Sequence, residues 1–436
     1  MESLKRKVLE YIKEEEIIQL TKDICKFPSY FGKETPCNNF LAGFMEENGF
    51  EVEIMEVEPG RVQPVCRLRG TGEGPSLMFN GHTDIGPVLM FTWTKRDPYE
   101  PYVRDGRIHA HGIENMKGGV AAMVMAAVAV KRAGIQLKGD LVVCPVVGEL
   151  QGGVGTKFLV DNGVITDYAL DPEPSGLTVR TATAGCAEFL IHILGLDQRV
   201  RAFEKAVKVW EALEEASRKK DFTYTYFPGK PDLPLIQIGG VISGIGREHS
   251  FYRCPPNTSD VCTIGVDVRT VPGQTEELVK NDLMRILSKL KIDDPEFHFE
   301  IEGPPATYTE QWPLFKHFIP PANISPDEWI VQLTAKNHEL ITGEKAVVWT
   351  QPRQNAYNDC GHLQAAGVKA VTYGPISYPG LKHHRRLEAH GRAAAAFAYP
   401  DGTTEDCMEI YQIMTTAKVY AAMAVDVCTI SKDKVN

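Results

Sequence analysis

No CxxC pair occurs in this chain, although it has ten cysteines, at 25, 37, 66, 144, 186, 254, 262, 360, 407 and 428. A thiolate zinc knuckle is therefore not expected, and the spacings do not read as a disulfide framework. The cysteines are expected to be reduced core thiols. The longest apolar run, Ala121–Val130, is too short to span a bilayer. The first residues, MESLKRKVLEYIKEEEIIQL, lack the apolar core of a signal peptide. Positive charge is in deficit, with 47 basic against 57 acidic side chains and a net charge of −10. That argues against a nucleic-acid or anionic-membrane partner. These absences make the cytoplasm the expected location and a freely soluble protein the expectation. No internal repeat is visible, and the only biased tract is the short run Ala393–Ala396.

What is present is ordinary globular composition, 43% hydrophobic and 24% charged over 436 residues. Disorder and coiled coil are excluded, and two to three domains are expected. Periodicity predicts helices over 2–27 and 35–49, then strands over 51–57, 65–69 and 76–80. A turn-rich segment covers 92–107, and an apolar helix follows as far as Ala133. The nearly all-apolar Asp140–Val147 reads as a strand covered on both faces. A helix over 153–162 and a short strand over 168–170 follow. Alternating strand and helix argues for an α/β sheet with parallel strands, and each polar cluster falls just after a strand, where such sheets bind ligands.

The pattern changes after about residue 180. Strands over 184–194, 235–243, 260–269 and 297–302, with helices over 201–220 and 275–290, follow the ferredoxin-like order. We expect 181–305 to be an inserted domain and 1–180 with 306–436 to form the host. The host resumes with a helix over 326–342, strands near 346–349 and 369–373, and a final helix over 405–425.

Four polar clusters at strand ends carry the chemistry. His82 and Asp84 form an H-x-D pair, in which a carboxylate can orient an imidazole ligand. Asn115, Glu149 and Glu173 are oxygen donors at later turns. One histidine with several oxygen donors suits zinc, manganese or cobalt better than calcium.

The runs NGHTDIGPV, HGIENMKGG, VVGELQGGVGT and LDPEPSG, with CTIGVDVRTVPGQT at 262–275, resemble the co-catalytic metallopeptidases. That family includes aminoacylase, carboxypeptidase G, acetylornithine deacetylase and succinyl-diaminopimelate desuccinylase. The resemblance covers nearly the whole chain. It implies an α/β host with a zinc-peptidase-like mixed sheet flanked by helices, and an inserted ferredoxin-like α+β lid or dimerisation domain. The implied activity is metal-dependent hydrolysis of a C–N bond, in an N-acyl amino acid, a small peptide or a related amino-substituted carboxylate. Two alternatives stand beside it: a hydrolytic deaminase of an aromatic amine, and an impaired member acting as a binding or scaffold protein.

By the same resemblance His82 is a metal ligand, Asp84 the carboxylate that orients it, and Glu173 a second ligand. Glu149 is the general base that takes a proton from metal-bound water. Asn115 stands where the family has a metal-bridging aspartate, Leu150 where it has a second-site glutamate. The late histidine ligand is absent from the segment Phe397–Gly402. A bridging anion is what lets two cations sit side by side. One divalent ion on His82, Glu173 and Asn115 is therefore expected, with a degraded second site. His383, His384 and His390 either supply a displaced ligand or belong to an exposed basic loop. Arg269 and Arg253 are candidates for the substrate carboxylate or for surface ion pairs. Asn358 and Asp359 resemble a family turn near the site, or else cap a helix. Lys117, Gly118 and Gly119 read as scaffolding. The family's histidine-bearing loop after Gly195 is missing, and His192 is expected to be a packed strand residue. A homodimer through the inserted domain is a further expectation.

Overall fold

A computed structural model describes residues 2–90, 92–195, 201–225, 227, 232–245, 259–304, 316–352, 356–376, 396–398 and 404–434. Its contacts divide the chain into two units: 1–183 with 323–354 and 358–436, and 184–322 with 355–357. The second unit thus extends past 305, the boundary read from the sequence.

The first unit opens with α1 (Glu2–Leu9), α2 (Glu14–Cys25) and α3 (Thr35–Glu47). The single helix expected over 2–27 is broken before Glu14. Strands β1 (Glu51–Glu58), β2 (Arg61–Leu68) and β3 (Leu77–His82) follow. The turn-rich segment holds two short strands, β4 (Tyr102–Arg104) and β5 (Arg107–His109), which the sequence reading did not assign. Then come α4 (Gly118–Arg132), β6 (Leu141–Val146), α5 (Val154–Asp161), β7 (Tyr168–Asp171) and β8 (Val179–Arg180).

The second unit contains β9 (Gly185–Leu194), α6 (Ala202–Lys219), β10 (Leu235–Gly244), β11 (Val261–Thr270), α7 (Glu276–Asp293) and β12 (His298–Glu302). After it the first unit resumes with α8 (Trp329–Thr342), β13 (Val348–Trp349), α9 (Cys360–Ala365), β14 (Lys369–Thr372), β15 (Ala396–Ala398), β16 (Thr404–Glu409) and α10 (Ile410–Cys428). The expected final helix therefore begins five residues later than 405, because 404–406 pair as a strand with β15 and 407–409 with β5.

The main sheet has the order β1-β2-β6-β3-β7-β14-β8-β13. It is mixed: β6, β3, β7 and β14 run parallel, whereas β1, β2 and β6 pair antiparallel. The central strands β3 and β6 are buried along their whole length, as the continuous apolar run of β6 requires. Helix α4 is apolar on all sides, which suits a helix covered all round. It packs against α10, α2 and β6. The stretch Ile113–Arg132 is long and apolar enough to cross a membrane, but it lies in this core.

In the second unit the sheet order is β10-β11-β9-β12, all antiparallel. With two helices this is the ferredoxin-like arrangement. Ala187, Phe189, Ile191 and Ile193 alternate inward from β9 to meet Ala206, Val209 and Leu213 of α6.

Candidate metal centre

Strand order places the site. In the parallel trio β6-β3-β7 the carboxyl ends lie side by side, and neighbouring strands are about 4.8 Å apart. His82 is the last residue of β3. Glu149 follows β6 across the Gly148 turn, and Glu173 follows β7. Three residues distant in sequence are thereby brought within side-chain reach. Their ligand atoms lie within 4.8 Å of one another.

Local packing aims each side chain. Gly148 takes a left-handed conformation (φ 65°), and a Cβ there would meet the Arg61 guanidinium at 2.7 Å. Gly119, at the start of α4, lies so close to the turn after β7 that a Cβ would sit 2.3 Å from the Pro172 carbonyl oxygen. The helix start thus props the Pro172–Glu173 turn from beneath, which gives Gly119 the structural role expected of it. Lys117 is fully buried and donates to the Phe27 carbonyl at 2.7 Å.

His82 is buried. Its Nδ1 lies 2.9 Å from the Asp84 carbonyl oxygen and 3.3 Å from Asp84 Oδ1. A proton on Nδ1 satisfies that partner and turns Nε2 toward the other groups. Nε2 is 2.7 Å from Asn115 Oδ1, 2.9 Å from Glu173 Oε1 and 3.7 Å from Glu149 Oε2. Asp84 does more than orient the ring. Its two carboxylate oxygens accept the backbone N–H groups of Glu149 and Leu150, at 3.1 and 2.9 Å. One aspartate therefore ties the β3 end to the β6 end.

The electrostatics are those of an acid-rich, dry site. Burial pushes the Glu149 carboxyl well above the usual range; His82 pulls it back, and Glu173 adds to the rise. Burial also raises Asp171, helped by Glu173 and Asp359, and raises Asp359 to about 7. For Asp84 burial acts upward, but the His82 charge and hydrogen bond outweigh it, so its carboxyl is lowered. His82 itself is raised well above the usual imidazole value, burial being overcome by Asp84, Glu173 and Glu149. Among the described residues, one imidazole nitrogen, two carboxylates and an amide carbonyl converge with only the proton of His82 to neutralise them. That donor set fits one divalent first-row cation, which favours the ionised carboxylates.

Other expected residues lie elsewhere. Asn358 is buried with its amide engaged: Nδ2 donates to Thr372 Oγ1 at 2.7 Å, and Oδ1 accepts the Cys360 N–H at 3.1 Å. These bonds close a turn just before α9, whose N-cap residue is Asp359. Arg269 belongs to the second unit, where Nε and Nη2 donate to Asp267 Oδ2 at 3.1 and 2.6 Å and the guanidinium stacks over Tyr357. His192 bonds Thr263 and Glu302 within the same sheet. Arg253, His383, His384, His390 and the stretch 399–402 lie outside the described residues.

Sequence reasoning missed three groups around the site. Asp171 sits two residues before Glu173 and was read only as a strand end; it accepts the Glu173 N–H at 3.2 Å. Gln151 is buried with neither end of its amide partnered among the described residues. Arg61 pairs with buried Glu34 behind the Gly148 turn, and no local spacing links residues 27 apart.

A mixed α/β sheet with ligand-type residues at its carboxyl edge, interrupted by a ferredoxin-like unit, defines a metal-dependent hydrolase of C–N bonds. The chain belongs to the peptidase family M20/M25/M40, whose family model matches residues 78–395. It is 27% identical over 404 residues to the N-formyl-4-amino-5-aminomethyl-2-methylpyrimidine deformylase of Bacillus subtilis (strain 168), covering 86% of this chain and 89% of that protein. It is 30% identical over 250 residues to the succinyl-diaminopimelate desuccinylase of Xanthomonas oryzae pv. oryzae (strain MAFF 311018), covering 54% of this chain and 64% of that one. Among solved structures, the dipeptidase Dug1p of Saccharomyces cerevisiae superposes with a TM-score of 0.72 at 13% identity, covering 96% and 97% of the two chains.

Proposed function

We propose that this protein hydrolyses the amide bond of a small N-acyl amine, an N-acyl amino acid or formamide-like compound, with one divalent ion at the His82 site. The observation that carries the reading is the convergence of Asn115 Oδ1, Glu173 Oε1 and Glu149 Oε2 on His82 Nε2, within 2.7–3.7 Å. The deformylase relative, aligned over most of both chains, supports a small acyl group. A divalent ion held by His82, Glu173 and the Asn115 carbonyl supplies Lewis acidity, polarising a carbonyl and acidifying water.

The chain's own residues do the rest. Glu149, buried and with a raised carboxyl pKa, takes a proton from the attacking water as its oxygen bonds to the acyl carbon. It returns that proton to the departing nitrogen as the C–N bond breaks, giving a carboxylate and an amine. Asp84 holds both the His82 ring and the Glu149 turn. Leu150, which cannot ligate, leaves the second position apolar.

A homodimer through the second unit is part of the same reading. Edge strand β10 exposes Val241 and Ile242, and α6 exposes Phe203, Val207 and Trp210 at helical spacing. A reducing, cytoplasmic setting is supported by the nine described cysteines, all buried free thiols.

Metal analysis with turnover of a panel of N-formyl, N-acetyl and N-succinyl amines tests the reading. We expect about one equivalent of zinc, manganese or cobalt. Glu149→Gln should lower kcat by about 10²–10⁴-fold with that metal retained. Metal-free protein under all loading conditions supports the scaffold alternative instead, and unchanged kcat in the variant removes Glu149 as the base.

A further inference from the structure

Asn115 differs from every other group at the centre. Its Oδ1 faces His82 Nε2 at 2.7 Å, yet the residue is exposed, whereas His82, Glu149 and Glu173 are buried or nearly so. Its amide nitrogen has no hydrogen-bond partner among the described residues. Beside it at His82 Nε2 stand two acceptors, Glu173 and Glu149, which bring no side-chain N–H. An amide is a rigid two-ended group, an acceptor on one side and two donors on the other. With the carbonyl held against His82, the –NH₂ is carried to the open side of the same centre.

We propose that the Asn115 amide N–H group is the substrate-facing hydrogen-bond donor of this site, donating to the oxygen of the scissile carbonyl. The inference rests on the hydrolytic reading above and deepens it. When water adds to the acyl carbon, the carbonyl π pair moves onto oxygen and negative charge collects there. A preorganised donor aimed at that oxygen is stronger in the transition state than in the ground state. A carboxylate at 115 could not do this, since it has only acceptors and would repel the developing charge. Asparagine therefore does two jobs at once: its oxygen serves the cation side and its nitrogen serves the substrate. The lost bridging charge and the lost second ion then belong together, because a donor on this chain takes over the electrophilic work that a second ion performs elsewhere. Such an electroneutral donor suits an uncharged acyl group, as in a formamide.

The test compares Asn115→Asp with the native protein, alongside Glu149→Gln and His82→Ala. Exposure of residue 115 lets the near-isosteric aspartate variant fold, which circular dichroism and Tm confirm. Three readouts are taken: metal content, kcat and KM on the N-acyl amine panel, and calorimetric binding of a phosphonate analogue of the acyl group. We expect Asn115→Asp to keep one metal equivalent and nearly unchanged KM. Its kcat should fall about 10²–10³-fold, the loss seen when one oxyanion donor is removed, and phosphonate affinity should fall with it. Asn115→Ala should lose kcat similarly. Native-like kcat and phosphonate affinity in the aspartate variant overturn the inference, as does a second metal equivalent accompanied by higher kcat. If Glu149→Gln and His82→Ala collapse while Asn115→Asp does not, only this inference fails. If neither of those variants changes turnover, or the native protein turns over nothing and binds no phosphonate, the hydrolytic reading falls with it.

Discussion

Among the described residues, two places bring three ligand-type side chains within 4.8 Å of one another: His82, Glu149 and Glu173 in the first unit, and Cys186, Glu188 and Asp267 in the second. By residue type alone, either set suits a transition metal. Their surroundings separate them. At the second, Arg269 already holds Asp267 at 2.6 Å, and the Cys186 thiol donates to the other Asp267 oxygen at 3.0 Å. Burial and then Asp267 push that thiol well above its ordinary value, so it stays protonated. The charge there is met by the protein itself. At the first, no lysine or arginine among the described residues is paired with Glu149 or Glu173, and Glu149, Asp171 and Asp359 are all raised. A cluster of ligands is a metal site where its negative charge is left unmet and its imidazole nitrogen faces inward.

The largest expected effect breaks or confirms this contrast directly. His82→Ala should abolish stoichiometric metal binding, a loss exceeding the 10–100-fold that removal of a ligand's orienting partner costs. Cys186→Ala should leave metal content unchanged. Atomic absorption on dialysed samples reads both. Equal loss in the two variants, or loss only in the second, reverses the assignment.

The first site was legible in the sequence because His82 ends β3, and Glu149 and Glu173 follow β6 and β7 within three residues. Three such strands lie adjacent and parallel, so end-of-strand position converts directly into proximity. Glu173 and Glu149 were placed by their motifs, and the ferredoxin-like order of the second unit by strand–helix alternation. What escaped was long-range or paired. Arg61 and Glu34 meet only after β2 has joined the sheet beside β6. Residues 404–409 look helical beside the apolar 410–428, and they become β16 because β15 and β5 offer partner edges. Asn358 carries an amide that serves either a substrate or a helix end, and spacing alone does not choose between them. The second ligand cluster was invisible for a similar reason. Cys186 and Glu188 lie 81 and 79 residues before Asp267 and are joined by the register of β9 on β11.

The contrast sharpens through protons. In the metal-free protein His82 and Glu149 both hold protons above their ordinary pKa values. A cation must displace them, so affinity at this site should fall as pH falls from 8 to 6, about tenfold per unit for each proton displaced. Calorimetry in buffers of differing ionisation enthalpy should show proton release on binding. Release should vanish in His82→Ala and be unaffected in Cys186→Ala. Binding without proton release would mean that the cation sits elsewhere.

The smallest effect concerns stability and carries opposite signs in the two regions. Asp359 is buried beside the first site with Oδ1 unpartnered, and its folded pKa of about 7 lies above the unfolded value of about 3.9. Its favourable contribution is therefore fully present below about pH 4 and is lost as pH rises through about 7. Asp359→Asn cannot ionise, so it should flatten the fall in Tm of metal-free protein between pH 5 and 8. At pH 8 it should be the more stable form, by about 1–3 kcal/mol. Asp267→Asn should do the reverse, costing up to about 3 kcal/mol at any pH in that range, because it leaves the Arg269 charge without its carboxylate. Thermal melts of the two variants across pH measure both. If Asp359→Asn destabilises at pH 8 as Asp267→Asn does, the first site's carboxylates are compensated by the protein after all, and the reason for placing a cation there is gone.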